Sequence, residues 1–145
     1  MTKPYDFENI ILIIAGGRDY KDEDFLYEKI NQIHSLYKVK MVVSGRAKGA
    51  DRLGEAWANY HGVPVDPYPA KWDDLSAPKA VIKYGTYGPY NTRAGHDRNA
   101  VMASKAQAVA LFPGGKGTQN MHDCAIAAGI VIFDFRGEEK ERKLF

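Results

Sequence analysis

At 145 residues with 45% apolar content, the chain has the length of one ordinary domain and enough apolar side chains for one core. Its 20 basic and 18 acidic residues leave a net charge of +2, so composition alone names no polyanionic partner. The lone cysteine, Cys124, excludes an intramolecular disulfide and a multi-cysteine zinc site, and it suits a reducing, cytoplasmic setting. The longest dense apolar run, residues 10–15, is far shorter than the ~20 residues a membrane helix needs, and no signal peptide or membrane partner is expected.

In chain order, residues 10–15 form a β-branched apolar run stopped by Gly16-Gly17, the pattern of a central strand buried on both faces. Phe25, Leu26, Ile30, Ile33 and Tyr37 then recur at helical spacing, and the cluster Asp22-Glu23-Asp24 places negative charge at the positive end of the helix dipole. A helix over 22–37 follows. Residues 40–43 predict a second strand, halted at Ser44-Gly45, and Leu53, Ala56, Trp57 and Tyr60 mark a second helix that ends at Gly62. Residues 63–68 predict a third strand, confined to an edge or shortened by Pro64 and Pro67.

Residues 69–93 have no steady period and carry Pro78, Gly85, Gly88 and Pro89 together with Trp72, Tyr84, Tyr87 and Tyr90. They are expected to be mostly a long loop with one turn of helix, and loops of that length are usually functional. A helix over 95–105, a strand over 108–112, a helix over 118–128 and a strand over 131–133 complete the series. The last residues, with Glu138, Glu139, Lys140, Glu141, Arg142 and Lys143, read as a solvated tail.

This alternation predicts a single α/β domain over 1–145: a Rossmann-like three-layer αβα sandwich around a mainly parallel five-stranded sheet, in the order 3-2-1-4-5. Ligands in such sheets bind at the carboxyl ends of the strands, where the winding reverses. Three glycine-containing segments fall there, after the first, second and fourth strands.

The first is Gly16-Gly17-Arg18-Asp19, whose glycines allow close backbone approach, whose arginine can pair with phosphate and whose carboxylate can accept from a ribose hydroxyl. The competing reading is a plain turn. The second runs Ser44-Gly45-Arg46-Ala47-Lys48-Gly49-Ala50-Asp51-Arg52, joining glycines and cations to the start of a helix, with Asp51 as either a site residue or a helix cap. It lacks the Walker spacing. The third, Pro113-Gly114-Gly115-Lys116-Gly117-Thr118, is the most specific: three glycines in four positions leave backbone N–H groups free to surround an anion, with Thr118 as cap or phosphate ligand. Upstream of the fourth strand, Arg98 and Asn99 are candidates for phosphate and for sugar or base. His34, His61, His96 and His122 show no metal-ligand spacing with carboxylates, so no resident metal is expected.

Taken together, Gly16-Gly17-Arg18-Asp19-Tyr20, residues 43–53, Arg98-Asn99 with Met102, and residues 112–118 with Met121 resemble the YspA-like branch of the SLOG superfamily. The resemblance spans residues 10–133, with a longer insertion at about 73–93. It implies a Rossmann-like nucleotide-binding fold, and a homodimer paired through helices. Its relatives include the LOG proteins, which cleave the N-glycosidic bond of nucleoside monophosphates, nucleotide-signal sensors, and the DprA-like proteins, which bind single-stranded DNA.

The LOG signature places a glutamate three residues after the threonine of the glycine loop, and here that position is Met121. Methionine neither ionises nor donates a proton, so the hydrolase would need another acid, Asp19 or Asp97, with Arg98 as a further catalytic candidate. A nucleotide binder or sensor needs only the backbone cradle with Arg18, Arg46, Lys48, Arg98 and Lys116, and it is the preferred expectation. The tyrosines of the insertion, with Lys79, Lys83 and Arg93, are candidates for a lid. Single-stranded nucleic acid ranks third, because it calls for a basic surface with aromatic platforms.

Overall fold

The computed structural model of the chain describes residues 4–85 and 88–137. Tyr87 of the expected lid and the charged tail at 138–145 lie outside the described residues.

Strand β1 (Ile10–Ala15) leads to helix α1 (Glu23–Tyr37), strand β2 (Val39–Ser44), helix α2 (Ala50–Tyr60) and the short strand β3 (Val65–Pro67). After an antiparallel hairpin, β4 (Ile82–Gly85) and β5 (Gly88–Asn91), the chain continues through α3 (Ala94–Lys105), β6 (Ala108–Leu111), α4 (Lys116–Ala128) and β7 (Val131–Asp134). The main sheet is parallel in the order β3-β2-β1-β6-β7, which is the expected 3-2-1-4-5 with the hairpin strands set aside.

Alternation along β1 divides the interior in two. Leu12 and Ile14 face a core with Leu26, Ile30, Val42 and Trp57, under α1 and α2. Ile13 and Ala15 face Val43, Met102, Val109 and Met121, under α3 and α4. Both faces of β1 are therefore covered, which is why its sequence reads as an unbroken apolar run. Helix α1 starts where expected because the Asp22 side chain accepts a hydrogen bond from the Phe25 amide at 3.2 Å. The C-terminal end of α4 uses Gly129 at φ 72° as a left-handed cap.

The expectation for residues 69–93 is corrected by the hairpin, paired from Ile82↔Asn91 to Gly85↔Gly88. Its residues Ile82, Lys83 and Tyr84 are exposed, so it has no buried row to impose an alternating pattern, and Pro89 sits in a two-stranded ribbon where a missing N–H is tolerated. Helix α4 also begins at Lys116, two residues before the expected start, because Gly115 rather than Thr118 is its N-cap.

Trp57 is the largest fully buried side chain, and its Nε1 donates to Asn31 Oδ1 at 2.8 Å, tying α2 to α1. Trp57→Ala should lower unfolding free energy by about 3–5 kcal/mol in urea titrations. A loss below about 1 kcal/mol would contradict this account of the core.

Candidate functional site at the carboxyl ends of the sheet

The loops after β1, β2 and β6 are bound to one another. The Gly17 amide donates to the Pro113 carbonyl at 2.9 Å, and the Gly17 carbonyl accepts from the Ala50 and Tyr20 amides, each at 3.2 Å. Gly49 lies at φ 75°, and a Cβ there would overlap the Gly17 carbonyl oxygen and stand 2.6 Å from that of Arg18. At Gly114, a Cβ would overlap Thr118 Oγ1 and stand 2.6 Å from the Gly17 nitrogen. These two glycines permit loop-to-loop contact. By contrast, the missing side chains of Gly115 and Gly117 would meet nothing within 4 Å, and both residues line a cavity.

That cavity measures about 290 Å³. Gly16, Gly17 and Arg18 bound it from the β1 loop, Asp51 from the start of α2, Arg98 and Asn99 from α3, and Gly115, Gly117 and Thr118 from the start of α4. Three separate sequence motifs therefore meet in one place with the Arg98-Asn99 pair. Helix α4 begins with no side-chain cap and no acidic residue in its first turn, so the positive end of its dipole opens onto the cavity.

The interior polar groups have defined partners. Arg98 is half-buried; its Nη1 donates to the carbonyls of Gly45 and Tyr68, and its Nε donates to Asn99 Oδ1 at 2.9 Å. It thus joins α3 to the ends of β2 and β3. Asn99 in turn donates to Asn120 Oδ1 at 3.0 Å and to the Gly117 carbonyl at 3.4 Å, which sets α3 against α4. Asp51 is buried and accepts from the Ala47 amide at 3.2 Å. Burial pushes its carboxyl up to about 6, against the opposing pull of the Ala47 amide, Arg98 and Arg18, while Glu55 adds to the rise.

Other candidates fall elsewhere. Ser44 is buried, its hydroxyl donating to Glu55 Oε2 at 2.6 Å and accepting from the Arg46 amide, while Arg46 itself pairs with Glu55 at 3.0 Å. Both serve the β2 loop's own structure. Gly45 packs under Arg98, and Gly49 and Gly114 pack the loops together. Lys48 and Lys116 are exposed and outside the cavity wall. Asp19, Pro113 and Gly114 border an adjoining open groove with Lys21 and Asp22, which shares Gly17, Arg18 and Gly115 with the cavity. Asp97 faces a second cavity, about 610 Å³, between α3 and residues 67–77. Of the expected lid residues, Lys79, Lys83, Tyr84, Tyr90 and Arg93 do not line the site.

The cavity also has walls that motif reasoning did not assign: Ala47, Trp72, Thr92, Gly95, His96, Met102 and Met121. Met121, at the position of the glutamate in the LOG signature, is fully buried against Ile13, Val109 and Ala125 in the core under α3 and α4. A signal for Trp72 existed in its place just before the irregular insertion. Its proximity to the site depends on tertiary folding.

A parallel sheet with this strand order, and a ligand-sized cavity at the point where its winding reverses, define a Rossmann-like domain. Residues 10–74 match the model of YAcAr, the YspA, cpYpsA-related SLOG family. That match takes in the loops after β1 and β2 and ends just beyond Trp72. None of the curated proteins compared with the chain matches it. Among solved structures, the X-ray structure of DNA processing protein A (DprA) from Streptococcus pneumoniae is similar, with a TM-score of 0.63 and 19% sequence identity over 88% of this chain and 50% of that one. The chain spans about half the length of that protein, and the likeness is one of fold.

Two predictions follow from the loop packing and from Asp51. Gly49→Ala should destabilise the protein by on the order of 3 kcal/mol, because it adds a steric overlap to a left-handed backbone; an unchanged urea midpoint would contradict this. For Asp51, the folded pKa lies above the unfolded value near 3.9, so the folded state binds the extra proton between about pH 4 and 6. Relative to Asp51→Asn, the wild type should gain up to about 3 kcal/mol as pH falls from 7 to 4. A pH-independent difference, or a relative loss on acidification, would oppose the assignment.

Proposed function

We propose that the chain binds a phosphate-bearing nucleotide or nucleotide-derived ligand in the cavity at the carboxyl ends of β1, β2 and β6, acting as a ligand-binding or sensor domain. One observation carries the reading: the uncapped start of α4, with Gly115 and Gly117 free of side chains, opens onto a cavity that Arg18 and Arg98 also bound. Backbone N–H groups and a helix dipole suit an anion, and the two guanidinium groups add charge-assisted donors. The volume of about 290 Å³ lies at the small end of ligand cavities, so a mononucleotide-sized ligand is favoured over a dinucleotide.

The similarity to a protein named for DNA processing keeps nucleic acid as an alternative, but net charge of +2 gives little non-specific attraction to a strand. A second reading, hydrolysis of the nucleotide's N-glycosidic bond, is favoured by the Asp51 carboxyl, which lines the cavity where Asp19 and Asp97 do not. Release of free base from a nucleoside monophosphate, lost in Asp51→Asn, would support it. Cys124 and the absence, among the described residues, of a helix long and apolar enough to cross a membrane are compatible with a cytoplasmic setting.

Thermal unfolding with AMP, GMP, NAD, ADP-ribose and cyclic nucleotides tests the binding reading. At 100 times its dissociation constant a ligand adds ~2.7 kcal/mol, and Tm should rise by about 5–10 °C for at least one compound. The exposed Arg18 should be required, with Arg18→Ala weakening binding about 10- to 100-fold, whereas Arg46→Ala should leave it unchanged. No response across the panel would contradict the reading.

A further inference from the structure

Trp72 belongs to neither core cluster, although tryptophan is among the most valuable side chains to bury. It is 37% exposed and stands on the wall of the cavity, on the segment between β3 and the hairpin. Its backbone is fixed by the Asn91 amide, which donates to the Trp72 carbonyl at 2.6 Å. Asn91 is itself buried, and its side-chain oxygen accepts from the Arg93 amide at 3.0 Å and the Val81 amide at 3.3 Å. The two ends of the irregular insertion are thereby clasped where Trp72 leaves the chain.

The indole is placed with equal care. A Cβ on Gly95, in the first turn of α3, would stand 3.0 Å from Trp72 Cη2, so the ring packs where α3 has no side chain. The Arg18 guanidinium lies 5.7 Å from the indole centroid, a planar cation against an aromatic face. The cavity wall thus has two chemistries. Its lining combines glycine-loop backbone and the arginines with the apolar side chains of Trp72, Met102 and Met121.

We propose that Trp72 is the stacking platform for the base of the bound nucleotide, so that the ligand is recognised by an aromatic ring as well as by its phosphate. This rests on the phosphate-binding reading and narrows it: a sugar phosphate without a base meets only half of the site. Arg18 lies against the indole face and is the group that turns to the phosphate when a base stacks there. Stacking on an aromatic side chain is sequence-tolerant, because every base has a π-face, so Trp72 favours nucleotides as a class.

The test titrates the purified full chain with AMP, GMP, CMP and UMP, and with ribose 5-phosphate, which keeps the sugar and phosphate but has no base. At least one nucleotide should bind about 10- to 100-fold more tightly than ribose 5-phosphate. Trp72→Ala should reduce that nucleotide to the level of ribose 5-phosphate and leave ribose 5-phosphate itself unchanged, while Trp72→Phe should keep most of the preference. Trp57 is fully buried, so nucleotide-induced quenching of tryptophan fluorescence should disappear in Trp72→Phe. The proposal is overturned if Trp72→Ala weakens nucleotides and ribose 5-phosphate equally, or if the wild type does not distinguish them. Failure of the wild type to bind any of the five would overturn the phosphate-binding reading and this proposal with it.

Discussion

The site depends on backbone meeting backbone at Gly17. Its amide is held by Pro113, its carbonyl by Ala50 and Tyr20, and it is approached by Gly49 on one side and Gly114 on the other. Any side chain at Gly49 or Gly114 would force these loops apart, and the cavity exists because they are close. Its walls come chiefly from the end of β1, the β2 loop and the starts of α2, α3 and α4, and this contact helps to set their relative positions. The glycines consequently have two roles: some join the loops, while Gly115 and Gly117 leave the cavity side of α4 bare.

Charge is arranged on that frame with little freedom. Arg98 is committed to the carbonyls of Gly45 and Tyr68, and so serves both as a brace and as a fixed positive wall. Arg18 is exposed, with its guanidinium 5.7 Å from the Trp72 ring centroid. Asp51 is the countercharge, buried close enough to both arginines for them to favour its ionised form, while burial works the other way. The balance leaves a carboxyl that titrates at about 6 on the cavity wall, and perturbed groups of this kind cluster at functional sites.

Much of this was legible in the residues. The run at 10–15 could only be a strand buried on both faces, and the spacing of Phe25, Leu26, Ile30 and Ile33 could only face one side of a helix; these long periodic signals gave the sheet order. The placement of Arg18, Asp51, Arg98 and the third glycine loop around one point followed from topology. What escaped was whatever depended on tertiary partners. Arg46 looks like a phosphate ligand until Glu55 is found beside it, and Asp97 shares the motif of Arg98 but lines only the second cavity, whereas Arg98 borders both. The hairpin has no buried face to pattern it, and Trp72 reaches the site only because Asn91 and Gly95 position it.

The central claim, that the start of α4 receives a nucleotide phosphate, is tested most directly by amide chemical shifts in ¹⁵N-labelled protein titrated with the nucleoside monophosphate that stabilises it best. The largest perturbations should fall on Lys116, Gly117 and Thr118, with Gly17 and Arg18 close behind. Saturable perturbations confined to the second cavity between α3 and residues 67–77, or none at the start of α4, would contradict it.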